Sequence, residues 1–404
     1  MSAASQAVTS PWRGLSPTVW ILVVARAVNR IGAFTLPFLG VVLTVEFGAS
    51  LRQTGLILAV FGAATIPSRL LGGQLADRFG RRWTIVIGLT GCAVAQLWIV
   101  VSLTLWFAVL ATVLLGLAFE IYEPPSQAMI ADVTQPADRP AAYGVYSAAL
   151  AAAGVLAGLL AAALTHWNLR YLFAADALTC LACAILVALA LPTDERSKRS
   201  KEPTLSNSAW RDRRLLLLLG SGTVFATIYM QIIIGLPLTL LEQGLPKAGT
   251  GFVLALSAVT LILAQRFLRV KRLDDFRSIA VGYVLLAAGL VACALAHSLT
   301  GYLVAAILWS LGDLFLLTRY LTQASGLAPD ESRGRYLAIF GLSWGIATTI
   351  APLTVTQLLE TAGPTGLWLT SAAVALVLAI LQPWVRRRVD PDRRNDDRRI
   401  ATDG

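Results

Sequence analysis

Charge is what this chain has least of. Asp, Glu, Lys and Arg make up 14% of its 404 residues, against about 25% in a soluble domain, which excludes an ordinary water-soluble globular protein. Histidine is nearly absent. The two that exist, His166 and His297, fall at the outer edges of separate apolar stretches and build no metal or catalytic constellation. The four cysteines, Cys92, Cys180, Cys183 and Cys293, all lie inside apolar stretches. Cys180 and Cys183 have redox or metal spacing, but no further Cys or His ligand lies nearby in sequence, so all four read as small buried apolar residues. No Ser/His/Asp or Cys/His set is visible either, so the chain reads as a non-enzyme that needs no cofactor. The first apolar run is too long for a cleavable signal peptide and contains Arg26 and Arg30.

What fills the chain instead is apolar sequence, 56% of all residues, with mean hydropathy +0.69. A membrane-crossing helix needs about 20 such residues. Twelve runs qualify, near 17–45, 54–76, 83–103, 105–131, 140–165, 169–191, 214–241, 250–268, 279–298, 301–326, 336–359 and 366–385. They nearly exhaust the length and leave no room for a soluble catalytic domain. The formal net charge of +10 sits almost entirely in every second loop. One side carries Arg78, Arg81, Arg82, Arg139, the run from Arg196 to Lys201, Arg269, Lys271, Arg272, Arg333 and Arg335, whereas the opposite loops hold essentially Arg52, Arg170 and Lys247. This asymmetry predicts both termini in the cytoplasm and an even number of spans. The basic tail, 386–404, is interrupted by aspartates and reads as a contact for anionic lipid, not for nucleic acid.

The charged, apolar-poor segment 192–213 reads as a flexible cytoplasmic linker between an N-terminal bundle, 1–191, and a C-terminal bundle, 214–385. The two look related. Leu36-Pro37-Phe38-Leu39 with Gly48 downstream echoes Leu236-Pro237-Leu238-Thr239 with Gly244 downstream, and the loop after Asp138-Arg139 echoes the one after Ser332-Arg333. The expected fold is therefore all-α, with twelve transmembrane helices in two pseudo-symmetric six-helix bundles and a site near the bilayer midplane between them.

Between the second and third runs stands Gly73-Gln74-Leu75-Ala76-Asp77-Arg78-Phe79-Gly80-Arg81-Arg82. On this loop and on the twelve-span pattern, the chain resembles the major facilitator superfamily over essentially its full length, in particular its bacterial drug and metabolite efflux members. Gly73 permits close helix packing and Gly80 a tight turn. Asp77, near a helix end, can meet the positive N-terminus of another helix. The resemblance implies that Asp77 with Arg78, Arg81 and Arg82 latches the two bundles on the cytoplasmic face, with span 11 as partner; alternatively the arginines serve only as topology determinants. Two features of drug exporters in that family are missing. Span 4 has Thr112 where an arginine would precede Gly116, and span 5 has Gly154 and Gly158 but no Gly-Pro pair.

Six ionisable residues stand out within predicted spans 1, 4 and 10: Arg26, Arg30, Glu120, Glu123, Asp313 and Arg319. Each costs roughly 2.5–3.5 kcal/mol at a helix centre, so six facing lipid would cost roughly 15–20 kcal/mol, more than the about 5–15 kcal/mol net stability of a typical protein. They must face a hydrated cavity or one another. All fall on spans 1, 4 and 10, which by the resemblance line the central cavity. Arg26 and Arg30, four apart, share a helix face, as do Glu120 and Glu123; the expectation is ion pairing across spans 1 and 4. One carboxylate would change protonation as the cavity alternates, with Asp313 as a second proton site and Arg319 as its neutralising neighbour. A static salt bridge that only orders the helices is the alternative. Glu123 precedes Pro124 and Pro125, so the helix must kink there. Phe34, Tyr122, Gln231 and Trp309 are candidates for the substrate path, each with packing as its alternative role. Asp176 lies off the cavity helices and reads as structural.

These readings lead to a secondary active transporter, a proton-coupled exporter of small amphipathic or drug-like molecules, working as a monomer in a bacterial inner membrane. An importer or uniporter of a sugar or organic acid, or a lysolipid translocator, is the alternative. Expected partners are a small-molecule substrate, protons and the lipid bilayer.

Overall fold

The computed structural model describes residues 15–134, 139–191, 208–268, 275–327 and 333–389, and every regular element among them is a helix. In chain order these are α1 (Pro17–Ile31), α2 (Thr35–Val45), α3 (Leu51–Phe79), α4 (Arg81–Val101), α5 (Leu105–Phe119), α6 (Glu123–Asp132), α7 (Arg139–Trp167) and α8 (Arg170–Ala190). After the short α9 (Ser208–Arg211) come α10 (Arg213–Glu242), α11 (Ala248–Leu268), α12 (Asp275–Leu295), α13 (Leu299–Gly326) and α14 (Arg333–Val389). Of the expected linker, 192–207 lie outside the described residues, and 208–211 are helical. Most of the basic loop 269–277 and of the tail, 269–274 and 390–404, likewise lies outside them.

Eleven helical stretches among the described residues are long and apolar enough to cross a membrane. The first, Pro17–Val45, joins α1 to α2, and the fourth, Leu105–Ile130, joins α5 to α6. The last, Tyr336–Val389, has 54 residues, roughly 80 Å at 1.5 Å per residue against a hydrocarbon core of about 30 Å. It is two helices meeting at Gly363, whose φ of 64° no helix accommodates.

Local chemistry sets the ends. Ser50 and Gln53 form a reciprocal capping box at the start of α3, the Ser50 Oγ accepting from the Gln53 amide at 3.2 Å and the Gln53 Oε1 from the Ser50 amide at 2.9 Å. Gly80 ends α3 at φ 84°, the tight turn its position in the loop motif predicts. Gly48 and Gly244, the two glycines that echo each other in sequence, have φ of 65° and 68°. After each glycine the chain folds back onto its helix, the Ala49 amide onto the Leu43 carbonyl six residues back at 3.0 Å and the Leu245 amide onto the Leu240 carbonyl five residues back at 2.9 Å.

Helices α1–α8 pack as one group and α10–α14 as another; the main contacts between groups are α3 with α14, α7 with α11 and α2 with α10. The seams are backbone-close at one end only. A Cβ on Gly62 would stand 2.6 Å from the Thr348 carbonyl carbon, and one on Gly158 2.6 Å from the Ala255 nitrogen. Toward the Arg-rich loops the helices part. At Gly154 the nearest neighbour, Ala258, is already at 3.8 Å, and at Gly73, Gly144 and Gly341 nothing stands within 4 Å. The seams are thus backbone-close away from the Arg-rich loops, with open space beside Gly73, Gly144 and Gly341 toward those loops.

Candidate functional site

The first membrane stretch is interrupted at Gly32–Phe34, between α1 and α2. Pro37 is the chemical reason, because it carries no N–H for the Ala33 carbonyl four residues back. Gly32 is needed for a different reason: a Cβ there would meet the Asp176 backbone of α8 at 3.0 Å. The fourth stretch is interrupted as well, at Glu120–Tyr122. The sequence places this kink at Pro124–Pro125; in the structure both prolines sit in the first turn of α6, where no N–H is required, and the break lies just before them. Gly88 of α4 lets the turn close in, with Tyr122 N at 3.0 Å from where its Cβ would be, and the Glu120 amide donates to Ser68 Oγ of α3 at 2.9 Å.

Arg26 joins the two interruptions. Its guanidinium pairs with Glu123 at the start of α6, donates to Tyr146 Oη of α7 at 2.9 Å and to Asn29 Oδ1 at 2.9 Å, and lies over the Tyr122 ring at 4.8 Å. The Glu123 carboxylate is held from the other side by Gln127 Nε2 at 2.8 Å. Side-chain exposures of 16% and 19% leave the pair shielded but reachable by water. In such surroundings a charge that loses its partner is costly.

The expected partnership between span 1 and span 4 thus forms through Arg26 and Glu123. It does not form between Arg30 and Glu120. Arg30 is exposed, beside Gly154 of α7, and within electrostatic reach of Tyr229 on α10. Glu120 has Arg69 of α3 as its foremost electrostatic neighbour, ahead of Glu123 and Arg26. Arg69 is the intramembrane charge that sequence reasoning passed over, although it lies within the predicted second span and the same insertion cost applies to it.

A polar chain leads inward from Arg26. Asn29 Oδ1 also accepts from Tyr122 Oη at 3.3 Å, and Asn29 Nδ2 donates to Cys180 Sγ of α8 at 3.3 Å. Cys180 faces Asp176 Oδ1 at 3.6 Å. The other carboxylate oxygen accepts from Thr35 Oγ1, the first residue of α2, at 3.0 Å, and Thr35 accepts from Gln96 Nε2 of α4 at 3.3 Å. Asn29, Tyr146, Thr35 and Gln96 are uncharged, so no insertion-cost argument singles them out. Cys180 and Cys183 are free thiols, not a redox pair, and Cys183 donates to the Ala25 carbonyl at 2.8 Å.

The other expected residues are placed differently. Phe34 and Trp309 are both 2% exposed and pack within the protein, Trp309 so tightly that a Cβ on Gly289 of α12 would stand 2.8 Å from its own. Neither lines a path in this conformation. Tyr122 lies beneath Arg26. Gln231 has both amide ends engaged by α14, donating to Thr354 Oγ1 and accepting from Ser371 Oγ, each at 2.9 Å, which fastens α10 to α14. Asp313 is 3% exposed, its Oδ1 has no hydrogen-bond partner among the described residues, and it forms no ion pair with Arg319. Six residues separate those two on one helix, which puts them on different faces.

In the loop motif, Gly73, Asp77 and Arg78 are exposed. Arg82 donates to the Ala188 carbonyl at the end of α8 and lies over Trp83 at 5.6 Å. The side chains of Arg333 and Arg335, at the start of the expected partner span, lie outside the described ones. No cluster of three His, Cys, Asp or Glu suited to a metal occurs among the described residues.

Comparison with known proteins agrees with this architecture. The profile of the Major Facilitator Superfamily matches residues 22–324 and 270–402. The MFS-type transporter YhjO of Bacillus subtilis is 30% identical over 80% of this chain and 81% of its own length. The multidrug resistance protein MdtH of Cronobacter sakazakii is 25% identical over 85% and 86%. A Na(+), Li(+), K(+)/H(+) antiporter of Planococcus maritimus is 24% identical over 79% and 84%. Among solved structures, a peptide transporter POT in complex with sulfate superposes with a TM-score of 0.77 at 14% identity, covering 92% of this chain and 94% of the other.

Proposed function

The chain belongs to the major facilitator superfamily as a multi-pass membrane transporter, and from that premise we propose that it exports small amphipathic, drug-like molecules in exchange for protons. The observation that carries the reading is the Arg26–Glu123 ion pair, which links α1, nearly two turns before its break at Gly32–Phe34, to the first residue of α6 after the break at Glu120–Tyr122. A pair at such a joint feels any tilt of α1 against α6. When Arg26 stays on Glu123 the carboxylate remains ionised; when tilt or substrate draws Arg26 away, the isolated charge is relieved by taking up a proton. Glu120 and Asp313 are the further acids of the cycle, and Arg30, on the exposed end of α1, faces the cargo.

Counting the bent last stretch as two supports a reading of twelve spans, and the positive-inside asymmetry supports both termini and the Arg-rich loops in the cytoplasm. On that orientation the conformation is open to the cytoplasm and sealed outside. The Asp77–Arg82 motif then forms its latch in the opposite state, when the cytoplasmic ends come together. The multidrug resistance relatives support the class of cargo, and the antiporter relative supports proton exchange. The protein acts as a single chain in the inner membrane, with no enzymatic step.

The test is reconstitution in proteoliposomes with an internal pH dye, an imposed pH gradient and a panel of lipophilic cations, neutral drugs, sugars and lysolipids. Substrate-evoked proton movement should appear with an amphipathic compound and vanish in Glu123→Gln. Substrate flux with no proton flux would replace this reading with a uniporter.

A further inference from the structure

Asp176 is absent from the transport scheme above, yet its surroundings are short of one proton. The carboxylate is 3% exposed. Its hydrogen-bond donors are neutral, the Thr35 hydroxyl and the Cys180 thiol, with the Phe34 backbone and the Gln96 amide also directed at it. No basic side chain pairs with it. Arg26, on α1, is committed to Glu123 and reaches Asp176 only through Asn29 and Cys180. Arg170, at the start of α8, is bonded to Glu46 at 3.1 Å. On α4, Arg81 and Arg82 stand at the far end and the nearby titratable group is Cys92; on α7, Tyr146 is bonded to Arg26 and His166 lies at the outer end. Cys183, on α8 itself, is bonded to the Ala25 carbonyl.

The second observation concerns Gln96. It is 2% exposed, its Nε2 is spent on Thr35, and its Oε1 is buried with no hydrogen-bond partner. A buried acceptor without a donor costs about 1–3 kcal/mol, and a buried carboxylate without a cation costs more. One added proton answers both once the Gln96 amide, whose nitrogen now faces Asp176, turns its Oε1 that way, as an Asp176 O–H donating to Gln96 Oε1.

We propose that Asp176 is a proton-binding site, in which the bound proton bridges Asp176 to Gln96 and sets the joint between α1 and α2. The ionised form attracts the N-terminal end of α2, where Thr35 donates to it; the protonated form turns its hydrogen toward Gln96 and loosens that hold. Because α2 is the part of the first stretch that touches α10 of the other group, near Gly40 and Leu238 at 3.6 Å, the proton changes how the two groups are joined at the sealed end. No bond other than O–H forms or breaks, and the proton exchanges with water on the Arg26–Glu123 side, where the side chains retain 16% and 19% exposure.

The test is infrared difference spectroscopy of the full chain in lipid, titrated without substrate, so its result is independent of whether the cargo and export reading holds. The spectrum of the wild type minus that of Asp176→Asn should contain one protonated-carboxyl C=O band that grows as pH falls. In Gln96→Leu, which removes the acceptor, that band should move to higher frequency; this variant decides the matter if Asp176→Asn does not fold. No band lost in Asp176→Asn, or a band unmoved in Gln96→Leu, overturns the proposal. So does loss of the band on adding sodium at constant pH, which would make the site one for a metal cation.

Discussion

The two groups of helices handle the same problem, polar residues inside a membrane, in opposite ways. In α1–α8 the stretches that carry charge are broken, at Gly32–Phe34 and Glu120–Tyr122, and the charges are gathered around the breaks. In α10–α14 the corresponding stretches run unbroken through α10, 30 residues, and α13, 28 residues, even though Pro237 matches Pro37 in sequence. There the polar contacts that join helices are between neutral groups, Gln231 with Thr354 and Ser371, and Tyr283 with Tyr320 at 2.7 Å, inside an aromatic pack in which Phe225 stacks on Tyr320 at 5.8 Å, and the buried Asp313 stands apart from them with an unpartnered Oδ1 among the described residues. The first group gathers an ion pair beside its breaks, and the second fastens unbroken helices to one another through neutral hydrogen bonds.

The comparison is tested most severely at Arg26. Arg26→Leu leaves Glu123 without its cation and takes one hydrogen-bond donor each from Asn29 and Tyr146, so it should cost about 3–5 kcal/mol and abolish proton-coupled flux in proteoliposomes. Gln231→Leu in the other group should cost about 1–3 kcal/mol and leave flux within about threefold, on the same hydrogen-bond reasoning. Equal losses of coupling would end the distinction. Next comes the seam. Gly158→Leu puts a side chain where only backbone fits, with an overpacking cost of about 1–3 kcal/mol falling on the sealed state alone. Crosslinking between introduced cysteines at the Arg-rich and opposite ends should show that population depleted by about tenfold. An unchanged distribution would mean that the seam is not what closes.

A smaller effect separates the matched prolines. Pro37→Ala restores a donor to the Ala33 carbonyl and favours a straight first stretch, which should slow turnover several-fold in substrate-exchange assays. Pro237→Ala, in a helix already straight, should leave turnover unchanged; a slowdown of similar size would show that α10 bends during the cycle. Asp77→Asn should have the least effect in this conformation, where Asp77 is exposed. Thermal stability should stay within about 0.5 kcal/mol, with cycling slowed because the opposite state loses its latch. Normal cycling would leave the arginines as topology determinants only.

Much of this was legible in the sequence wherever cost was large. Arg26 and Glu123 stood out because a charge in an apolar run demands an explanation, and Gly80 because of its place in the turn. The Pro124–Pro125 pair announced an interruption within a few residues of the real one. What stayed hidden was relational. Nothing in a single sequence says that Arg30 points away from Glu120, or that Arg69 is nearer to that acid. The break in the first stretch was obscured because Pro37 and Pro237 look alike, and only packing against Asp176 and Thr179 of α8 distinguishes them. Trp309 and Phe34 stay ambiguous in the sequence because aromatic side chains suit both a binding wall and a core; in the structure both are 2% exposed.

The bareness of the seams has a kinetic consequence. Gly62 against Thr348, Gly158 against Ala255 and Gly251 against Ala162 are uncharged surfaces in near-backbone contact. Parting them gives up dispersion and weak contacts only, with no ion to rehydrate. Such a joint slides like a dry bearing. Salt concentration should barely touch the rate at which the sealed end opens, while temperature and the tightness of the surrounding lipid should govern it.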